Sequence, residues 1–221
     1  MRKLIVFLIV LIVLLIAVDR VAVAGVERDL GNRIAAAADV EGTPTVTIEG
    51  IPFLTQALSG SYPEVRFDLG TVRYGKVQVS ELRGAAYDVT APLADVIQNT
   101  ADIRAGRLAV TGVIDNATLA RFAPSGIKVS ARNGKLAAAG TVAVAGRQVQ
   151  FRADLRFEAA DGGIRVTADK IEGVPQALAG FAGFTVPIKG RLPFDVKVTD
   201  VRSVAGGLEI SAEGKNVPLR G

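Results

Sequence analysis

The sequence predicts an α+β domain: a long, strongly curved antiparallel sheet with few helices, preceded by a hydrophobic export segment. Three observations predict it. Apolar and charged side chains alternate with period two through most of the chain beyond Pro44. Gly-bearing dipeptides interrupt that alternation at hairpin spacing. Helical spacing is confined to the N-terminal stretch and a few short interruptions.

The chain opens with Met1-Arg2-Lys3, and an unbroken apolar run follows from Leu4 to Val18. A membrane-insertion machine reads that pattern and holds the positive end on the cytoplasmic side. Everything after Asp19 is therefore expected on the far side of a membrane, in the periplasm. Two readings of the segment stay open. A helix over the run measures about 22 Å, short of a hydrocarbon core of about 30 Å. Together with the small-x-small pattern Ala22-Val23-Ala24, that fits a signal peptide cleaved near Ala24, with Gly25 as the new N-terminus. Asp19 and Arg20 sit inside the cleavage region, however, and no helix breaker follows Val18, which fits a retained anchor. Residues 1–24 are thus a signal peptide or a membrane anchor, and residues 25–221 a single domain.

From Val21 to Ala38 the pattern is helical. Val26, Leu30 and Ile34 share one face, Glu27, Arg28, Asp29 and Arg33 lie elsewhere, and Asp29 and Arg33 form an i, i+4 pair. The Ala-rich residues 35–38 are expected to pack closely on a partner. Gly42-Thr43-Pro44 ends the helix. Strands come next. Val46 and Ile48 alternate with Thr45, Thr47 and Glu49. Val65, Phe67 and Leu69 alternate with Arg66 and Asp68, and Val77 and Val79 follow the turn at Gly75-Lys76. In the clearest case, Phe151, Ala153, Leu155 and Phe157 face one way and Arg152, Asp154 and Arg156 the other. Ile164, Val166 and Ala168 resume the inner face after Asp161-Gly162-Gly163. Asn133-Gly134, Ala145-Gly146 and Gly206-Gly207 mark further hairpins. Strands with one apolar and one charged face belong to antiparallel sheet that is wet on one side. Short helices are expected from Pro92 to Thr100, from a cap at Asp115 to Phe122, and from Pro175 to Phe181. Glu49-Gly50-Ile51-Pro52 recurs as Glu172-Gly173-Val174-Pro175, a similarity no stronger than chance.

Composition narrows the function. The chain has 26 Lys+Arg and 22 Asp+Glu; without Arg2, Lys3, Asp19 and Arg20 the balance is 23 to 21, a net charge of +2. There is no basic block, so nucleic acid is not an indicated partner. The chain has no Cys, which excludes disulfides and thiolate metal sites, and no His, the usual general base and zinc ligand. Asp154, Glu158, Asp161 and Asp169 follow strand alternation and turn positions. The glycines form no phosphate loop. No catalytic residue, metal site or cofactor is expected.

The most distinctive segment runs from Val46 through Gly50-Ile51-Pro52-Phe53-Leu54-Thr55-Gln56 to Gly60 and Tyr62. Pro52 cannot donate to a ladder, so the strand stops there. Phe53 and Leu54 then place two large apolar groups at a strand end. Thr55 and Gln56 can bond freed backbone groups, and Gly60 releases the chain into the next strand. The segment reads equally as a plug closing one end of the sheet and as the lip of an apolar groove.

This segment resembles the signature of the LmeA-like family of actinobacterial envelope lipid-binding proteins at Gly50, Pro52, Phe53, Leu54, Thr55, Gln56 and Gly60. The apolar start running into Asp19-Arg20 and an Ala-rich helix is similar to family N-termini. The ending from Leu192-Pro193-Phe194 to Gly214 is similar too, so the resemblance covers nearly the whole chain. It implies a tubular lipid-binding-like fold, in which a rolled antiparallel sheet wraps a long N-terminal helix and leaves an elongated apolar cavity. It also implies a periplasmic phospholipid binder supporting lipoglycan (lipomannan-type) assembly. No residue-level site is carried over from it.

The residues themselves offer two apolar clusters at element ends as lipid-binding candidates. One is Phe53, Leu54, Leu58 and Tyr62. The other is Leu178, Phe181, Phe184, Val186 and Pro187, to which Phe194 is added. The uncharged stretch 177–184 reads as a core-covering helix or as a tip that touches a membrane surface or gates a cavity. Arg152, Arg156 and Arg165 read as a solubilising face or as a headgroup contact. The expected function is therefore an exported, non-catalytic phospholipid-binding or lipid-transfer protein of the cell envelope. Its partners are a phospholipid or other acyl-chain lipid and a membrane surface. The alternatives are a β-rich envelope module with a filled interior and, more remotely, an enzyme using two converging carboxylates.

Overall fold

The computed structural model describes residues 2–37, 39–74, 77–92, 103–123, 126–132, 135–144, 147–160, 163–172, 183–187, 196–204 and 206–219. Helix α1 (Arg2–Ala37) is followed by β1 (Val40–Glu41), β2 (Thr45–Ile48), α2 (Phe53–Ser59), β3 (Ser61–Tyr74), β4 (Val77–Thr90) and β5 (Arg104–Asp115). Then come α3 (Asn116–Phe122), β6 (Ile127–Arg132), β7 (Lys135–Val144), β8 (Arg147–Ala160), β9 (Gly163–Glu172), β10 (Gly183–Pro187), β11 (Val196–Val204) and β12 (Gly207–Pro218). The class is α+β, with antiparallel sheet and a long N-terminal helix, as in tubular lipid-binding-like folds. One seven-stranded sheet has the order β1-β3-β4-β5-β12-β11, with β2 also paired to β3; a five-stranded sheet has the order β10-β9-β8-β7-β6. The predicted helices at 92–100 (beyond Pro92 itself) and 175–181 lie outside the described residues.

The chain forms two compact units. The first comprises Met1–Gly70, Arg83–Ala109 and Gly214–Gly221, the second Thr71–Leu82 and Val110–Glu213.

In the first unit, the apolar run and the amphipathic stretch form one continuous helix. Neither segment contains proline, and the two glycines, Gly25 and Gly31, cost only about 1 kcal/mol each relative to Ala. Residues 2–18 are exposed, and α1 is long and apolar enough to cross a membrane. Beyond them, Val23 is buried with Ile48 and Phe53, and Ala22, Leu30, Leu54, Ala57, Tyr62 and Val65 pack around these three. The packing face is shifted from the expected one: Leu30 packs on the core as expected, but Val26 does not. Val26 is exposed, and the face is pinned instead at Val23 and Gly31. A Cβ on Gly31 would lie 2.8 Å from the Pro44 carbonyl oxygen, so only glycine admits the start of β2 so close to the helix. Ala35, Ala36 and Ala37 are exposed rather than tightly packed, because β2 begins at Thr45, beside Gly31, and the last turns of α1 run past it. The Asp29–Arg33 pair forms as expected, at 2.7 Å. On β2, Val46 and Ile48 are buried while Thr45 and Thr47 are exposed. The strand pairs antiparallel with β3, Thr45 opposite Asp68 and Ile48 opposite Val65.

Strands β4 and β12 are longer than the alternation visible in the sequence, for a local reason. Glu81 and Asp88 in β4 and Asn216 in β12 have φ of 52°, 51° and 50°. Such a residue leaves the extended region and slips the in–out phase by one. In β4 the inward positions run Val77 and Val79, then Leu82 and Ala86, then Val89. In β12 they run Leu208, Ile210, Ala212 and Gly214, then Val217.

In the second unit, the hairpin signals fall where expected. Arg132 pairs with Lys135 around 133–134, Val144 with Arg147 around 145–146, and Ala160 with Gly163 around 161–162. Phe151 and Ala153 are buried, and Arg152 and Arg156 are exposed. The core joins Ile114, Leu119, Leu136, Ile164, Val166 and Leu208, each at most 2% exposed. The predicted cap at Asp115 is present: its carboxylate accepts the Thr118 N–H and starts α3.

Candidate functional site

The Gly-x-Pro-Phe-Leu-Thr-Gln segment is a short helix, α2, at the end of the β2–β3 hairpin. Every residue of the motif has a structural task. Gly50 has φ of +97°, and the Gln56 side chain lies where a Cβ would be, 2.7 Å away. Pro52 is extended and stands at the helix start without a side-chain cap. Thr55 Oγ1 donates to the Pro52 carbonyl at 2.9 Å, and Gln56 Nε2 donates to the Glu49 carbonyl at 3.2 Å. Gly60 ends the helix in the left-handed region at φ +67°, and its missing Cβ leaves room for Pro92, whose Cα would otherwise be 2.8 Å away.

The cap that Pro52 cannot supply comes from 35 residues upstream. Asp19 Oδ1 accepts the Leu54 N–H at 2.8 Å, while Asp19 Oδ2 pairs with Arg20. Asp19 is only 3% exposed, one residue beyond the apolar run. The Leu54 N–H, and then the Arg20 guanidinium, hold its carboxyl below the usual carboxylate range. One helical segment later, Glu27 Oε1 accepts the Ile48 N–H at 2.8 Å. Helix α1 therefore carries two carboxylates that bind backbone donors, one just ahead of the motif and one within it.

A depressed carboxyl stabilises the folded chain above its unfolded pKa, near 3.9, and loses that contribution as pH falls through the lower folded value. Urea unfolding of Asp19→Asn and the wild type in mild detergent is expected to show a constant stability gap above about pH 4, closing at more acid pH. A gap that persists unchanged in acid would exclude Asp19 as the charged cap.

The first predicted cluster forms only in part. Phe53 is buried, Leu54 and Tyr62 are half-buried beside it, and the Phe53 and Tyr62 rings lie 6.3 Å apart. Burial pushes the Tyr62 phenol up from its ordinary value. Leu58 does not join them: it points outward, 78% exposed, as does Ile51 at 75%. Of the second cluster, Phe184 lies in β10 with its backbone opposite Val166. Leu178, Phe181 and Phe194 lie outside the described residues. Of the three arginines that read as a headgroup contact, Arg156 lies opposite Thr167, and the other two sit on a cross-strand charge ladder. Arg152 is opposite Glu172, Asp154 opposite Lys170, and Arg165 opposite Glu158, as on a solvated outer face. Among the described residues, no group of three or more acidic or other ligating side chains converges to hold a metal ion.

The sequence puts Asp19 inside the cleavage region and Glu27 off the apolar face of the helix, and neither position reveals their shared role. Their partners are backbone N–H groups, which leave no mark in a sequence.

Compared with known families, the chain matches the model described as LmeA-like phospholipid-binding over residues 17–213, a stretch that begins ahead of Asp19. No curated protein and no solved structure matches it.

Proposed function

The chain belongs to the LmeA-like phospholipid-binding family, and on that premise we propose that it is a non-catalytic protein that binds or transfers phospholipid at the periplasmic face of the cytoplasmic membrane. The family match over most of the chain is the observation that carries this reading. Burial of each acyl CH₂ contributes roughly 0.8 kcal/mol, so a lipid chain is held by aliphatic surface without a dedicated polar contact. A chain without His or Cys suits that chemistry. Aliphatic side chains inside the sheets and the apolar residues Phe53, Leu54 and Tyr62 at a strand end are the candidate cargo contacts. Support of lipoglycan assembly is the finer reading, and its measure is the length of lipomannan-type polymers in cells lacking the protein.

Native mass spectrometry of the full chain, released from detergent after mixing with phospholipid vesicles, tests the binding. The expected result is a mass increment of one or more phospholipids and protein-dependent movement of a labelled phospholipid between vesicles. Protein that carries no phospholipid and moves none would overturn the proposal.

A further inference from the structure

We propose that α1 stays uncleaved as a membrane anchor and that its Asp19 clamps α2 against the outer surface of that same membrane, with Ile51 and Leu58 inserted among the lipids of the outer leaflet. The argument starts from levels along α1. The apolar run ends at Val18, so Asp19 marks where the helix leaves the hydrocarbon. Glu27, bonded to the end of β2, lies about 12 Å further out, at ~1.5 Å per residue. Gly31, beside Pro44, lies about 18 Å out. The segment from Pro44 to Leu54 thus descends along α1 toward the membrane and reaches the level of Asp19 where the Leu54 N–H meets its carboxylate. Strand β3 then climbs back, Val65 beside Ile48 and Asp68 beside Thr45. The connection between β2 and β3, including α2, is therefore the membrane-proximal end of this hairpin.

The side chains at that end fit the interface. Ile51 and Leu58 project outward, 75% and 78% exposed, and Val21 on α1 is 75% exposed. Water is a poor solvent for this surface, whereas the boundary between headgroups and acyl chains is a good one. The placement also resolves the short span. A run of about 22 Å falls short of a hydrocarbon core of about 30 Å. A short span is accommodated when neighbouring apolar surface sinks in and flanking charges reach outward. Asp19 meets that requirement because its charge is matched by Arg20 and by a backbone N–H, and the half-exposed Arg20 side chain reaches toward the headgroups.

Cleavage after Ala24 would remove structural groups. Asp19, Ala22 and Val23 all lie on the near side of that bond, and two of them belong to the core of the first unit. Ala22-Val23-Ala24 is itself helical and at least half-buried, not extended as a peptidase substrate must be.

The chain has no Cys, so single-cysteine variants report cleanly. The experiment uses full-length Ile51→Cys, Leu58→Cys and, as reference, the exposed Thr45→Cys. Each is labelled with an environment-sensitive fluorophore and reconstituted in phosphatidylcholine–phosphatidylglycerol vesicles carrying a shallow spin-labelled lipid quencher. Probes at 51 and 58 are expected to shift to the blue and be quenched, while the probe at 45 stays in water. Adding Asp19→Asn is expected to return the probe at 58 toward the Thr45 reference, with the protein still membrane-bound. Intact mass of the membrane form is expected to include residues 1–24. A mature N-terminus at Gly25, or probes at 51 and 58 as wet as that at 45, would overturn the proposal. These readouts need no cargo in the protein, so they separate this proposal from the one for phospholipid binding.

Discussion

Replacing Phe53 by alanine is expected to destabilise the first unit by about 3–5 kcal/mol, the range for truncating a buried aromatic side chain. Phe53 is 5% exposed and joins α1 to the hairpin through Val23 and Ile48. Its removal leaves a cavity that α2 cannot close by shifting, because both ends of α2 are fixed. One end is held by the Asp19–Leu54 bond, and the other is turned by Gly60 against Pro92. The Tyr62 ring, 6.3 Å away, also loses its neighbour. Urea unfolding of the full chain in mild detergent, followed by far-ultraviolet circular dichroism, measures the loss. Leu58→Ala on the same helix is the control, expected within about 0.5 kcal/mol of wild type in detergent because its side chain is exposed. Equal losses for the two variants would refute the packing described for α2.

Ile164→Ala is expected to cost the second unit about 2–5 kcal/mol. Ile164 is fully buried, in a core with Leu136, Val166 and Leu208. Its neighbour Arg165 faces the other way, exposed and opposite Glu158. Arg165→Ala is therefore expected to change stability by less than about 0.5 kcal/mol, as for an exposed surface side chain. The contrast between adjacent residues tests the claim that this sheet is apolar on one face and wet on the other. Thermal unfolding of both variants measures it, and similar melting temperatures would contradict that claim.

How much of this was legible beforehand depends on where the determining contacts lie in sequence. In β8 and β9 they are local to the strand. Phe151 to Phe157 and Ile164 to Ala168 alternate without interruption, so strand, face and hairpin were all readable. In β4 and β12 the alternation slips at Glu81, Asp88 and Asn216; Asp and Asn favour the left-handed region only as a tendency and Glu not at all, so the pattern is lost after Val79. Helix α2 reads in the sequence as an apolar plug or groove lip, not as a helix, because seven residues after a proline hold too few turns to show a period. The buried state of Asp19 was hidden for another reason: its partner is an amide 35 positions away. The family motif was legible as a pattern; why each position has its residue type became clear only from the bonds of Gly50, Thr55, Gln56 and Gly60.

The first unit draws on three stretches of chain, and one of them, Gly214–Gly221, follows the other two only after most of the second unit. Leu219, near the end of that stretch, donates its N–H to Ile103 at 2.8 Å. A polypeptide delivered N-terminus first therefore presents α1, β2 and β3 long before their unit can be completed. The core of Val23, Ile48 and Phe53 is assembled from these early residues, and the bond to Ile103 is added only later. Vectorial synthesis thus makes completion of this unit late, dependent on a distant downstream segment that itself contributes only a few residues to it.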